Sequence, residues 1–383
     1  MWRSVASNAL TFLIVLFMGV GIAGLWAKNE YMQAGPLDQG ICLRVAPGSK
    51  FYDTADDLKK QGAISSASLF RIGAEYNGKA NQLKAGSFLI PAAASMDQVV
   101  DLITKGGANT CGTEIVYRIG VASTTVQVRE LDPATERFVE RAAFKMGDDA
   151  PSDYTRVLDA MATRHRIAMA EGVTSWQVVQ AINGIEVLQG DITEIPAEGT
   201  LAPFSYEVAS GDTRASVIAD MVARQTSILD QAWTNRAADL PLKSKEEALI
   251  LASIIEKETS VPDERGLVSS VFINRLNQGM PLQTDPTVIY GITKGQGVLG
   301  RGLRRSELRG QTPWNTYVIR GLPPTPIANP GADAIAAAVN PDDSRYIFFV
   351  ADGTGGHAFA ETLAEHNANV AKWRQIEAER ATD

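Results

Sequence analysis

The chain has 383 residues, 45% of them apolar and 21% charged, with a formal net charge of −8. That length exceeds a single small core and implies two or three domains, and the acidic balance argues against a nucleic-acid binder, which would present a basic face. Three histidines (His165, His357, His366) and two cysteines (Cys42, Cys111) make no CxxC or HExxH spacing, so no metal centre is expected. No phosphate loop and no GxGxxG-plus-acid pattern points to a nucleotide.

The N-terminus comes first in chain order. No charged residue lies between Arg3 and Lys28, and Leu10–Phe17 is continuously apolar apart from Thr11. A helix needs about 20 apolar residues to cross the bilayer core, so this stretch is long enough. Trp2 and Trp26 sit where interfacial rings are favoured. The alternative is a cleaved signal peptide, but Leu25 would occupy the small-residue position of a cut after Ala27. The expected arrangement is a short inner tail at 1–8, a transmembrane helix at 9–27, and the remainder outside. There Cys42 and Cys111 can pair, and a disulfide between them is expected to staple the first small domain. Two unrelated thiols are the alternative.

A turn followed by a small amphipathic helix then recurs. Pro47-Gly48-Ser49 precedes Ala55 and Leu58, and Ala94-Ser95 precedes Val99, Val100 and Ile103. Gly172-Val173-Thr174 precedes Val178, Val179 and Ile182, and Gly211-Asp212-Thr213 precedes Val217, Ile218 and Met221. Ser or Thr at such a turn suits a helix N-cap, and the spacing keeps one face apolar. Residues 41–46 and 86–91 look like short strands. This first unit resembles LysM-type glycan-binding modules, which pair two strands with two short helices; generic α+β spacer units are the competing description. Residues 113–165 combine a strand-like run, Glu114–Gly120, with a polar stretch, and read as a linking subdomain without chemistry.

From residue 244 the character changes. Ser244-Lys245-Glu246-Glu247 fits a capping box, and the spacing predicts a helix through Thr259, ended by Pro262. With Leu249 at zero on a helical wheel, Ile250, Leu251, Ile254 and Ile255 average about 170°, Glu258 lies at about 180° and Glu256 near 340°. Glu258 therefore falls in the apolar stripe and Glu256 points elsewhere. A carboxyl in apolar surroundings tends to keep its proton, as a general acid needs; a solvated last-turn residue is the plainer alternative.

From Leu251 to about His366 the chain resembles the MltG (YceG-like) family of endolytic murein transglycosylases. The resemblance rests on Ala252-Ser253-Ile254-Ile255-Glu256-Lys257-Glu258-Thr259. It continues through Val271–Leu276, Leu282–Gly291, Asn315–Tyr317, Gly321–Gly331, Phe349–Gly353 and Gly356-His357, in that order. It implies a lytic transglycosylase that cleaves between N-acetylmuramic acid and N-acetylglucosamine and leaves a 1,6-anhydromuramic end, with no cofactor or metal. The family's catalytic glutamate falls on Glu258, which would donate a proton to the leaving oxygen and then accept one from the sugar's 6-hydroxyl. One carboxyl then suffices where ordinary glycosidases use two. The family also implies peptidoglycan strands and cell-wall synthases (penicillin-binding proteins) as partners, and release of nascent strands as the role.

Gln283, Thr284, Asp285, Tyr290, Asn315, Tyr317, Asn329 and His357 are expected to hold glycan groups, although Asp285-Pro286 is also a natural turn. Arg301, Arg304, Arg305 and Arg309 form a basic patch that reads as a solvated face, with attraction of peptide-stem carboxylates as the alternative. The expected fold is α+β. It runs from the transmembrane helix through a LysM-like βααβ domain (40–112), the linking subdomain (113–165) and a second small α+β unit (166–232) to an α+β catalytic domain (233–383). Two other readings stand beside the transglycosylase: a lysozyme-type hydrolase using Glu258 and Asp285, and a non-catalytic, membrane-anchored glycan-binding scaffold.

Overall fold

A computed structural model describes residues 2–105, 110–158, 160 and 163–380, with side chains from Thr11 onward. The interfacial position expected of the Trp2 ring lies outside those described side chains. Contacts divide the chain into two compact units. The first comprises residues 1–115, 128–142 and 151–164; the second comprises 116–127, 143–150 and 165–383.

In the first unit, helix α1 (Trp2–Met32) carries a largely apolar stretch, Thr11–Met32, of 22 residues, exposed from Thr11 to Trp26 and buried at Tyr31. At 1.5 Å per residue this is about 33 Å, the thickness of a bilayer core. The helix continues past Lys28, so the end expected at residue 27 falls inside it. Strand β1 (Ile41–Val45), helices α2 (Phe51–Lys60) and α3 (Ala67–Tyr76), strand β2 (Gly86–Ile90) and helix α4 (Met96–Thr104) follow. Strands β1 and β2 pair antiparallel, with Leu43 opposite Phe88. Their inner faces, together with Phe51, Leu58, Phe70, Val99 and Ile103, form one core that Tyr31 of α1 joins. Ser95 caps α4 with a complete capping box. Ser49 does not cap α2, whose N-cap is Lys50 and makes no side-chain hydrogen bond. Cys42 and Cys111 are joined as a disulfide with Cα atoms 5.6 Å apart, an ordinary separation for such a bond.

The segment expected to link two domains is instead largely sheet. Strands β3 (Thr113–Ile119), β4 (Thr124–Asp132) and β5 (Arg137–Lys145), the short helix α5 (Ser152–Val157), and strand β6 (Arg164–Met169) follow one another. They are followed by α6 (Ser175–Asn183) and β7 (Ser205–Val208), and the five strands order as β5-β4-β3-β6-β7. The boundary expected at residue 165 falls within β6. Glu114 on β3 is fully buried, and its carboxylate receives Arg129 from β4 and Arg164 from β6, the latter at 2.9 Å.

The second unit continues with α7 (Arg214–Thr234), α8 (Lys245–Glu258), a 3₁₀ turn at Pro262–Glu264, and α9 (Arg265–Asn277). Helices α10 (Asp285–Thr293), α11 (Arg305–Leu308) and α12 (Ala332–Val339), strands β8 (Phe348–Ala351) and β9 (His357–Ala360), and α13 (Leu363–Arg380) complete it. Every residue of α8 from Ala248 to Ile255 is buried, because α7, α9, α10 and α12 all pack against it. Helices α8 and α12 contact each other, and both bring small residues into the shared core, Ala248 and Ala252 from α8 and Ala334 and Ala338 from α12. The Ser244 hydroxyl accepts from Glu247 N at 3.3 Å, while the Glu247 carboxylate takes Lys243 N at 2.6 Å. Only half of the expected box therefore forms.

The buried Glu114 cluster generates one prediction. Removing the buried carboxylate that both guanidinium groups share takes away an ion-pair partner, and losing one member of a buried pair costs about 3 kcal/mol or more. Glu114→Ala is expected to lower the denaturant midpoint accordingly, measured by equilibrium unfolding. Glu114→Gln should lower it less.

Candidate active site

Helix α8 ends where Thr259 leaves helical geometry at φ −138°, ψ 136°. Glu258 is its last helical residue, one turn beyond Ile254 and Ile255 and half-buried. Opposite it stands Thr284, the N-cap residue of α10. Its hydroxyl does not cap that helix but donates to Glu258 Oε1.

A threonine network fixes this donor. Thr284 N donates to Thr316 Oγ1 at 3.1 Å, Thr316 and Thr287 hydroxyls lie 2.8 Å apart, and Thr287 Oγ1 donates to Thr284 O at 2.7 Å. All three threonines are buried. The preceding residue, Gln283, holds the left-handed conformation at φ 52° and donates its backbone N–H to Thr316 O at 3.1 Å; its side chain is exposed.

Burial pushes the Glu258 carboxyl above the usual carboxylate range. The Thr284 hydrogen bond works against this, the negative charge of Asp285 adds to it, and His357 and Arg275 oppose it. Asp285 itself is exposed and accepts from Tyr317 Oη at 2.7 Å. The Tyr317 phenol is raised in turn by burial and by Asp285. Arg275 is spent on backbone, donating to Ile347 O and Leu282 O at 2.7 Å each, so it acts on Glu258 as a fixed charge at a distance. His357 on β9 is held by Glu264, whose carboxylate takes His357 N at 2.8 Å and lies 2.7 Å from Nδ1. A backbone donor and a ring nitrogen on one carboxylate fix the orientation of the imidazole.

The first glutamate of the helix end does something else. Glu256 Oε2 accepts from Gly331 N at 3.0 Å, and Gly331 is the N-cap of α12. A carboxylate there satisfies an open donor and complements the helix dipole. A Cβ at position 331 would meet the Glu171 side chain, 1.8 Å from Oε1, so that side chain lies directly against the glycine. Burial also raises the Glu256 carboxyl. A raised value thus does not separate the two glutamates; their partners do.

Of the residues expected to hold glycan, Thr284, Asp285, Tyr317 and His357 gather around Glu258. Tyr290 lies on another part of α10, where its hydroxyl donates to Glu198 Oε2 at 3.2 Å and its ring meets Trp314 at 5.7 Å. Asn315 and Asn329 are fully buried. The Asn315 amide donates to the carbonyls of Glu307, Leu308 and Gly310. Asn329 accepts from Leu201 N at 2.9 Å and donates to Val173 O at 2.9 Å. Direct glycan contact is therefore not the work of these two amides, which hold loops together. In the basic patch, Arg301 is paired with Glu307, and Arg304, Arg305 and Arg309 are exposed. Glu264, Thr287 and Thr316 were not singled out from sequence. Glu264 reads there as one more charge beside a helix-stopping proline, and the threonines as ordinary polar residues.

The chain is 29% identical over 327 residues to an endolytic murein transglycosylase of Bacillus subtilis, covering 85% of this chain and 83% of that one. It is 26% identical over 382 residues to an endolytic murein transglycosylase of Streptococcus pneumoniae, covering 95% of this chain and 65% of the longer relative. A crystal structure of a YceG-like protein from Listeria monocytogenes aligns with a TM-score of 0.47 at 25% identity, covering 86% of this chain and 98% of that one. The YceG-like family model matches residues 43–372, and the chain belongs to the YceG-like family.

Proposed function

We propose that this protein is an endolytic peptidoglycan lytic transglycosylase and that Glu258 is its catalytic residue. The observation that carries the assignment is a desolvated carboxyl at the end of a rigid buried helix, oriented by Thr284 and biased toward its protonated form. Protonated Glu258 donates to the glycosidic oxygen between N-acetylmuramic acid and N-acetylglucosamine as that bond breaks and positive charge develops at C1. The carboxylate so formed takes the proton of the muramic 6-hydroxyl, whose oxygen closes on C1 to give the 1,6-anhydro end. The proton returns to Glu258, so the cycle balances without water.

Thr284 keeps the carboxyl aligned through both transfers. Asp285, Tyr317 and Gln283 flank it on the side open to solvent and are the candidates for contacts with sugar hydroxyl and acetamido groups. His357 faces it with an orientation set by Glu264. The exposed apolar stretch of α1 supports a membrane anchor, with the chain that follows it on the outer face where peptidoglycan lies. The β1-α2-α3-β2 order supports a LysM-like glycan-binding role for residues 40–112. An anchored endolytic enzyme beside the strand-polymerising synthases would release nascent strands and terminate their elongation.

Two predictions test the assignment. Glu258→Gln keeps an acceptor for Thr284 but removes the transferable proton, so activity on purified glycan strands should fall by about 10²–10⁴-fold. Because the native carboxyl binds its proton more tightly than the unfolded one, its contribution to stability falls as pH rises from the ordinary glutamate range toward the raised native value. The Gln variant should therefore melt at or above the wild-type temperature, with a gap that widens with pH. A variant that retains wild-type turnover, or one that releases no product with either residue at 258, would sink the catalytic reading.

The second prediction concerns Asp285. Its charge raises the Glu258 pKa, so Asp285→Asn should move the alkaline limb of the pH–rate profile toward lower pH while products keep their anhydro ends by mass spectrometry. A hydrolase using Asp285 as its second carboxylate would behave differently. It would yield reducing ends that have gained water, and Asp285→Asn would abolish turnover.

A further inference from the structure

Three consecutive polar residues end α8, and two of them have been placed. The third is Lys257, whose side chain approaches Gly172 beside that of Glu256. Its Nζ donates to Gly172 O at 3.2 Å, which among the described residues is its one hydrogen bond. An ammonium has three donors, so two remain open. Its stem runs against Gly172, where φ is +75° and a Cβ would meet Lys257 Cδ at 3.4 Å. Burial pulls its pKa down, with Glu256 working against that.

Lys257 forms part of the wall of a cavity of about 330 Å³, with Thr174, Pro286, Tyr290, Arg301 and Ile327 among its other residues. Lys257 immediately precedes Glu258 in the sequence and Pro286 immediately follows Asp285, so the cavity wall shares the end of α8 and the start of α10 with the site, although neither carboxylate lines it. Arg301 is occupied by Glu307 and the Tyr290 hydroxyl by Glu198. Lys257 is thus a cation in this wall that, among the described residues, is not hydrogen-bonded to a carboxylate, and two of its donors are open.

We propose that this cavity binds a carboxylate of the peptide stem carried by the muramic residue at the cleaved bond, with Lys257 as its cationic anchor. The inference rests on the transglycosylase reading, because it needs a peptidoglycan strand in the site. The stem departs from the same sugar ring whose C1 loses its oxygen at Glu258, so a pocket beside the acid is where a stem would run. A partly desolvated ammonium with two open donors favours an anionic acceptor, since charge-assisted hydrogen bonds are stronger than neutral ones. The sugars themselves offer only neutral hydroxyl and acetamido groups. The pocket would thus make stem-bearing strands better substrates than stripped ones.

The test compares the full-length protein on strands bearing their stems and on the same strands stripped by an amidase. Lys257→Gln should lower kcat/KM on stem-bearing strands by about tenfold, mainly through KM, and leave stripped strands unaffected. Lys257→Arg should retain most of the preference. Free stem peptide should inhibit the wild type competitively, a measurement independent of whether any variant folds. Equal losses on both strands, no loss on either, or no inhibition by the peptide would overturn the proposal. Absence of anhydro product from either strand with the wild type would instead defeat the catalytic reading, and this one with it.

Discussion

The burial of α8 on every side is the constraint from which the site follows. A helix enclosed by α7, α9, α10 and α12 has nowhere to shift, so the direction of each residue at its end is fixed by the packing of Ala248–Ile255. Glu256, Lys257 and Glu258 then diverge by about 100° per residue and meet three different surroundings. One closes the N-terminus of α12, one enters a cavity, and one meets the Thr284 hydroxyl. In the proposed reaction, rigid placement would let one carboxyl meet the glycosidic oxygen first and the muramic 6-hydroxyl second.

The electrostatics around Glu258 are a balance of opposing influences. Desolvation and the Asp285 charge favour the neutral acid, while the Thr284 hydrogen bond and the Arg275 and His357 side chains favour the carboxylate. A group that must both give and retrieve a proton gains from neither form being held too strongly. Arg275 contributes without touching Glu258, because its guanidinium is directed to Ile347 O and Leu282 O. The site's charge is therefore built partly from groups whose hydrogen bonds serve the loops.

Local signals in the sequence were legible where local physics decides the outcome. Ser95, Thr174 and Thr213 cap their helices, and the strands around 41–46 and 86–91 form close to the expected bounds. The helical wheel selected Glu258, but for a reason the structure revises. The helix is not amphipathic there, and Glu256, on the opposite side, is also half-buried. What separates the glutamates is a backbone N–H from residue 331 against a threonine hydroxyl from residue 284, and neither partner is near in sequence. The same limit explains Asn315 and Asn329, whose amides are absorbed by loops that a pattern of residue types cannot pair. It also explains the segment 113–165, whose polar surface residues conceal alternating inward ones such as Val126 and Val128 until the neighbouring strands are known.

The disulfide between Cys42 and Cys111 carries a further consequence. The two residues are 69 positions apart, so the bond closes almost the whole of β1 through α4 into one covalent loop. In the chain-entropy description, a loop of that length removes about 4 kcal/mol of freedom from the unfolded chain. That is a large share of the few kcal/mol by which a small domain is ordinarily stable. The order of this domain is thereby tied to the redox state of its surroundings, and a chain kept reduced would populate its unfolded form far more often than the oxidised one.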